Sequence, residues 1–146
     1  MIPRWLHTVT EVNGVLVIVG GRAGKSLSSV ETLESGSTWR PGPELPGARG
    51  GHAACEWNGR VWISGGRGDG VVRLESVMSW GPGEADWRHE QSLTEPRLYH
   101  TMAGMGRDRL LVCGGWGKDN YPTKSVLEYS VHSRAWSRLT DLPDRK

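Results

Sequence analysis

The chain has 146 residues, with 18 Lys and Arg against 16 Asp and Glu and a net charge of +2. That length suits one ordinary domain, and so even a balance, without a basic stripe, argues against a dedicated nucleic-acid binder. With 21 glycines, 8 tryptophans and no phenylalanine, the composition points to many tight turns and to tryptophan as the large core side chain.

In chain order, the first feature is Arg4 followed by His7, ahead of a short strand carrying the small residues Thr8 and Thr10. Asn13-Gly14 comes next, a strong two-residue hairpin signal because both residues tolerate positive φ. Val15 to Val19 is then a β-branched apolar run with no helical period, predicted as a strand. It ends at Gly20-Gly21; a third strand is predicted from Ser29-Val30 through Leu33, and a fourth around Trp39, before Leu45.

The whole series then repeats. Arg49 and His52 open a second copy with the hairpin Asn58-Gly59, the strand Arg60 to Ser64, Gly65-Gly66, Ser76-Val77, Trp80, Trp87 and Leu93. Arg97 and His100 open a third with the longer turn Gly106-Arg107-Asp108, the strand Arg109 to Cys113, Gly114-Gly115, Ser125-Val126, Tyr129, Trp136 and Leu142. The opening arginines recur after 45 and 48 residues, the period of a repeat architecture in which one unit cannot bury its apolar face without neighbours.

Within the second strands, Leu16, Val61 and Leu110 share a column, as do Ile18, Ile63 and Val112. Two residues apart, they share one face, which is assigned to the core. The intervening Val17, Trp62 and Leu111 are also apolar, as expected of strands buried on both sides. Small residues in the preceding strands (Thr8, Ala53, Thr101; Thr10, Cys55, Ala103) suit inner strands that converge. Four antiparallel strands per copy make one propeller blade.

Arg-x-x-His, the hairpin, the double glycine, the Ser-Val step and the closing tryptophan, three times in phase, together resemble the kelch repeat over roughly Pro3 to Leu142. The resemblance implies an all-β fold, a partial kelch β-propeller of three four-stranded antiparallel blades, with repeats at about 4–48, 49–96 and 97–146. Leu33 and Trp80 stand where the family has tyrosine, and the turn before Trp39 is one residue short. Propellers usually have about 4–8 blades, and kelch proteins most often resemble six-bladed rings. The chain is therefore read as half of a ring, from a truncated or incompletely predicted gene product, with Leu142, Pro143 and Lys146 in the columns of Leu45, Pro46 and Arg49. A self-complementing dimer of two halves is the alternative.

Ile2 to Glu11 lacks the sustained apolar stretch of a secretory signal, Val15 to Val19 is far too short to span a bilayer, and no Asn-x-Ser/Thr site occurs. Cys55 and Cys113 lie in strands of different copies, expected as small buried thiols in a reducing compartment. A cytoplasmic protein with no membrane contact is the expectation.

Gly20-Gly21-Arg22-Ala23-Gly24-Lys25-Ser26 imitates a phosphate-binding loop, but the required first glycine falls at Val19, and no helical pattern follows. The three repeat histidines stand one per blade, so they are expected to pair with neighbouring backbone rather than converge on a metal. His89 and His132, at unmatched positions, are expected at the surface. No metal or other cofactor is expected.

The resemblance implies that partners bind the loops between second and third strands and the crossings between blades. By position these hold Arg22 and Lys25; Arg67 and Arg73; Trp116, Lys118 and Tyr121; and, at the crossings, Gly50, Gly51, Leu98 and Tyr99. Arginine, tryptophan and tyrosine are the types enriched at binding hot spots. The candidate partner-binding residues are Arg22, Lys25, Arg67, Arg73, Tyr99, Trp116, Lys118 and Tyr121, and their cations suit an acidic protein or peptide ligand, although Asp69 and Asp119 share the rim.

The resemblance thus implies a protein–protein interaction module, such as the recognition domain of a cullin ubiquitin-ligase adaptor, with an actin-binding or scaffold protein as the alternative. A kelch-like enzyme of the copper-oxidase or sugar-mutarotase type is the rival of another class. A copper site of that type would need two tyrosines, two histidines and a cysteine on one face, a constellation the sequence does not display, so no catalytic residue is assigned. Open propeller flanks add an expectation of self-association.

Overall fold

The computed structural model describes residues 1–36 and 38–144, and every element in it is β. The expected column of Lys146 lies outside the described residues. Three four-stranded antiparallel sheets follow one another along the chain. The first contains β1 (Thr8–Val12), β2 (Val15–Val19), β5 (Val30–Leu33) and β6 (Arg40–Pro41), with the two-residue strands β3 (Arg22–Ala23) and β4 (Lys25–Ser26) forming a small ribbon in its loop. The second contains β7 (Ala53–Trp57), β8 (Arg60–Ser64), β9 (Val77–Trp80) and β10 (Arg88–Glu90). The third contains β11 (Thr101–Met105), β12 (Arg109–Cys113), β13 (Val126–Ser130) and β14 (Ala135–Arg138). Among the described residues, no helix is long and apolar enough to cross a membrane.

The local chemistry explains these elements. Asn13 and Gly14 have φ of 49° and 82°, and Asn58 and Gly59 have 51° and 76°. Both pairs therefore make the left-handed turn whose twist matches the flanking strands. A carboxylate closes each: the Gly14 N–H donates to Glu11 Oε1 at 2.6 Å and that of Gly59 to Glu56 Oε1 at 2.8 Å. The third strands of the three sheets begin at Val30, Val77 and Val126, each immediately after its serine as expected, whereas outer-strand pairing in the first two blades starts just past the tryptophan.

The inner strands β1, β7 and β11 lie side by side, and the apolar residues form two cores, each sandwiched between adjacent blades. Val12, Val17 and Val19 of the first blade meet Val61, Ile63, Met78 and Trp80 of the second. Trp57, Trp62 and Val77 of the second meet Leu110, Val112 and Leu127 of the third. The two columns share one face, as expected: Val61, Ile63, Leu110 and Val112 face the preceding blade, and Val17 and Trp62 of the intervening column face the following one. Among the described residues, only the middle blade is covered on both sides; Leu16 on one flank and Leu111 on the other are half-buried.

The closing tryptophans reach backwards across these seams. Trp87 Nε1 donates to Pro43 O and Trp136 Nε1 to Gln91 O, both at 2.8 Å, and the two side chains are 6% and 7% exposed. Trp39 does not take the same inter-blade role. With no blade on its side, it is 36% exposed.

Candidate functional site

The repeat arginines tie each blade together at one end, and the histidines of the second and third blades tie it to its neighbour. Arg97, fully buried, donates from Nη1 to Gly114 O at 3.1 Å and Ser125 O at 3.2 Å, and from Nη2 to Ser125 Oγ at 2.7 Å. Arg49 makes the same bonds to Gly65 O, Ser76 O and Ser76 Oγ, and burial lowers its pKa to about 10. The arginine thus fastens the double glycine of its own blade to the Ser-Val step. The histidines look outward to the previous blade: His52 Nε2 pairs with Thr8 Oγ1 at 2.9 Å and His100 Nε2 with Ser64 Oγ at 2.8 Å. Their partners are side-chain hydroxyls, not the neighbouring backbone the sequence suggested. His7, on the open side of the first blade, is exposed, as are His89 and His132.

Cys55 and Cys113 are free thiols, half-buried rather than enclosed. Burial nonetheless pushes Cys55 up to about 12. The phosphate-loop lookalike is the β3–β4 ribbon, turning at Gly24 with φ of 79°, and has no helix behind it.

Above these anchors, the three loops between second and third strands knit into one face. Each loop pairs with its own blade's crossing segment: Arg22 with Trp5, Arg67 with Gly50 and Trp116 with Leu98, through reciprocal backbone bonds of 2.7–3.1 Å. Ser26 Oγ joins the first loop to the second by donating to Arg67 O at 3.1 Å, and Arg73 Nη1 joins the second to the third by donating to Gly117 O at 2.7 Å. The residue before each histidine is left-handed in every blade, with φ of 57° at Leu6, 67° at Gly51 and 56° at Tyr99. These residues are chained, Gly51 N–H to Leu6 O and Tyr99 N–H to Gly51 O. This bond holds the Tyr99 backbone in a region that costs a non-glycine residue roughly 1–2 kcal/mol.

Five of the eight candidate residues come together. Arg67, Arg73, Tyr99, Trp116 and Lys118 line a cleft of about 690 Å³ between the second and third blades, completed by Val71, Pro96, Leu98 and Asn120. Tyr99 and Trp116 meet edge to face with ring centroids 6.5 Å apart. The pair gives the cleft an aromatic wall, and Arg67, Arg73 and Lys118 add cations to its lining. Arg67 Nε is held by Gly70 O at 2.6 Å, and Arg73 is partly engaged in joining the loops, so part of its role is structural.

Three candidates lie apart from this cleft. Arg22 donates to Ser26 Oγ at 2.9 Å within the ribbon. Lys25 borders a smaller depression with Ile2, Ala48 and Asp69. Tyr121 is exposed on the third loop, where its N–H is capped by Asp119 Oδ1. Sequence reading missed Val71 and Pro96, whose columns carry no distinctive residue, and Trp5. The latter was legible, because it occupies the column of Gly50 and Leu98 and is a large, exposed aromatic.

Comparison with known proteins agrees with this architecture. The Kelch motif matches residues 3–46 and 96–143. The chain is 35% identical over 127 residues to Adagio-like protein 1 of Oryza sativa subsp. japonica, covering 79% of this chain and 20% of that protein. It is 34% identical over 142 residues to human tRNA wybutosine-synthesizing protein 4, covering 87% and 21%, and 37% identical over 81 residues to human Kelch-like protein 33, covering 54% and 15%. The chain therefore spans about a fifth or less of the length of these curated relatives. Among solved structures, YjhT superposes with a TM-score of 0.86 at 16% identity, over 97% of this chain and 53% of that one. With a kelch match over more than half its length and three blades built on the same double-glycine and arginine anchors, the chain belongs to the kelch-repeat family.

Proposed function

We propose that this chain recognises a protein or peptide through the cleft between its second and third blades. The reading is carried by one observation: five residues from variable loops and a crossing converge on one concave site, while the strands below repeat a common frame. A rigid scaffold bearing divergent loops is how specific sites are presented. Tyr99 and Trp116 supply an apolar anchor, and Arg67, Arg73 and Lys118 suit carboxylates beside it. Arg22, Lys25 and Tyr121 extend the same face for a longer ligand.

Within the whole protein, we place this module as the recognition part of a cytoplasmic ubiquitin-ligase adaptor, with an actin-binding or scaffold protein as the alternative. One relative is named for tRNA wybutosine synthesis, so a catalytic protein is the second reading. On the first reading the kelch segment binds and performs no chemistry.

The test is binding of an arrayed set of peptides that pair Asp or Glu with an apolar residue, measured by fluorescence anisotropy. Arg67→Ala or Trp116→Ala should each weaken binding by about 1–2 kcal/mol, roughly 5–30-fold, and added salt should weaken it further. A folded Arg67→Ala, Tyr99→Ala, Trp116→Ala triple variant that binds every selected peptide as tightly as wild type would move the site off this face. Stoichiometric copper or iron in the purified whole protein would favour the catalytic reading.

A further inference from the structure

The cleft between the second and third blades holds more positive charge than one acidic side chain can match. We propose that its ligand is a phosphorylated peptide, with a phosphate monoester on the cations and a neighbouring apolar side chain on the aromatic wall. The inference rests on the reading of this cleft as the peptide site and names the class of peptide. Arg67 and Arg73 come from the second blade's loop, Trp116 and Lys118 from the third's, and Tyr99 from the crossing between them. The site is therefore built by two blades that are both present, and owes nothing to either end of the chain.

Charge carries the first part of the argument. Arg67, Arg73 and Lys118 bring three positive charges into one lining, against +2 for the whole chain, and no carboxylate lines the cleft among the described residues. The aspartates of the two loops are turned to other tasks. Asp69 borders the depression beside Lys25, and Asp119 Oδ1 accepts the Tyr121 N–H at 3.2 Å. Elsewhere Arg4, Arg60 and Arg97 each meet a carboxylate, that of Glu31, Glu84 and Glu95. Among the described residues, none of the three cleft cations forms such a pair. Like charges gathered without a counter-ion repel one another, so a compact ligand with more than one negative charge relieves the site most.

Hydrogen bonding narrows the ligand further. Arg67 donates from Nε to Gly70 O at 2.6 Å, and neither of its Nη atoms has an acceptor among the described residues. Arg73 donates from Nη1 to Gly117 O at 2.7 Å, which leaves its Nη2 and Nε in the same condition. Each guanidinium is thus fixed by one bond to backbone and keeps further donors for an anion, in the planar array that suits phosphate. A phosphoserine carries about −1.5 to −2 charges at pH 7 and three strong acceptor oxygens. It can engage two guanidiniums and an ammonium at once, whereas a carboxylate brings a single charge.

A bare phosphate would leave the rest of the lining unused. Tyr99 and Trp116 are 49% and 42% exposed, and the buried Leu98 joins them in the cleft. Covering that apolar surface favours binding in a way no inorganic anion supplies. The cleft volume of about 690 Å³ falls in the range of about 300–1,000 Å³ usual for ligand sites, with room for a phosphorylated side chain and an apolar neighbour.

Arrayed peptides with varied flanks test this, each made in four forms in which a leucine adjoins serine, phosphoserine, glutamate or a glutamate pair. In fluorescence anisotropy the phosphoserine form should bind about 10-fold more tightly than either glutamate form. Lowering the pH from about 7.5 to about 5.5 should shrink that advantage, because phosphate loses its second charge near pH 6 while glutamate stays ionised to about 4.3. Arg67→Ala and Lys118→Ala, each with wild-type circular dichroism, should weaken the phosphoserine form about 5-fold or more, and together they should abolish its preference. Glutamate forms that bind as tightly as phosphoserine would overturn the proposal and leave acidic-peptide recognition standing. A phosphoserine preference that survives the combined variant would overturn it too, since the phosphate would then sit elsewhere. Failure of every arrayed peptide to bind would remove both the proposal and the reading beneath it.

Discussion

His52 Nε2 sits 2.9 Å from Thr8 Oγ1 across the boundary between the first two blades, in a site closed to water, while its Nδ1 meets no partner among the described residues. Burial first, and the positive charge of Arg49 second, hold its pKa at about 3; His100, buried beside Arg97, is also at about 3. Both rings are neutral in the folded chain near pH 7. In the unfolded chain they bind protons near the ordinary value of 6.5, so acid favours unfolding.

The resulting stability is full above about pH 6.5 and is lost as pH falls towards 3, by up to roughly 1.4 kcal/mol per pH unit for each ring. Urea midpoints at pH 7.5 and 5.0 check this. The acid midpoint should be clearly lower, and His52→Gln should shrink the difference. Equal midpoints in wild type would refute the inter-blade role of these rings.

Gly66→Ala should destabilise by about 2–4 kcal/mol, combining left-handed strain with overpacking. Gly66 has φ of 98°, and an added Cβ would lie 2.9 Å from His52 Cβ and 3.0 Å from Gly50 O. Gly14→Ala separates the two effects, because its φ is 82° but nothing lies within 4 Å. It should cost only the strain, about 1–2 kcal/mol. Thermal melts ranking the two equally would contradict the close packing of the double glycine.

Trp87→Ala should cost about 3–5 kcal/mol, the usual range for a buried tryptophan, since it loses both a packed ring and the bond to Pro43 O. Trp39→Ala, at the same repeat position but on an open flank, should cost far less in the monomer. Chemical unfolding of both variants at low concentration compares them. Similar losses would mean that the flank of the first blade is covered.

Arg97→Met should be among the most damaging single changes. It removes the side-chain donor to Gly114 O, takes one of two donors from Ser125 O and leaves Glu95 without its cation, and removing one member of a buried charged network typically costs about 3–5 kcal/mol. Arg97→Lys should recover little, because an ammonium cannot span both carbonyls as the guanidinium fork does. Denaturant titrations showing wild-type stability for the lysine variant would remove the fork from the account.

The sequence by itself determined the blades. Periodic glycine pairs, Asn-Gly turns and alternating apolar columns are local signals, and each acts through φ preference or side-chain alternation that needs no distant partner. Sequence alone also located the loops that hold Arg67, Arg73, Trp116 and Lys118, because these differ where the frame repeats. Tertiary structure decided what depends on neighbours. Trp39 and Trp87 share a repeat position, yet only Trp87 has a blade to pack against. Leu16 and Val61 share a column, yet only Val61 is enclosed. The histidines turned from backbone to hydroxyl partners because Thr8 and Ser64 belong to another blade. The cleft likewise joins side chains from separate blades, 51 residues apart from Arg67 to Lys118. Their meeting is set by the angle at which blades stack, a property of the seam that no single repeat encodes.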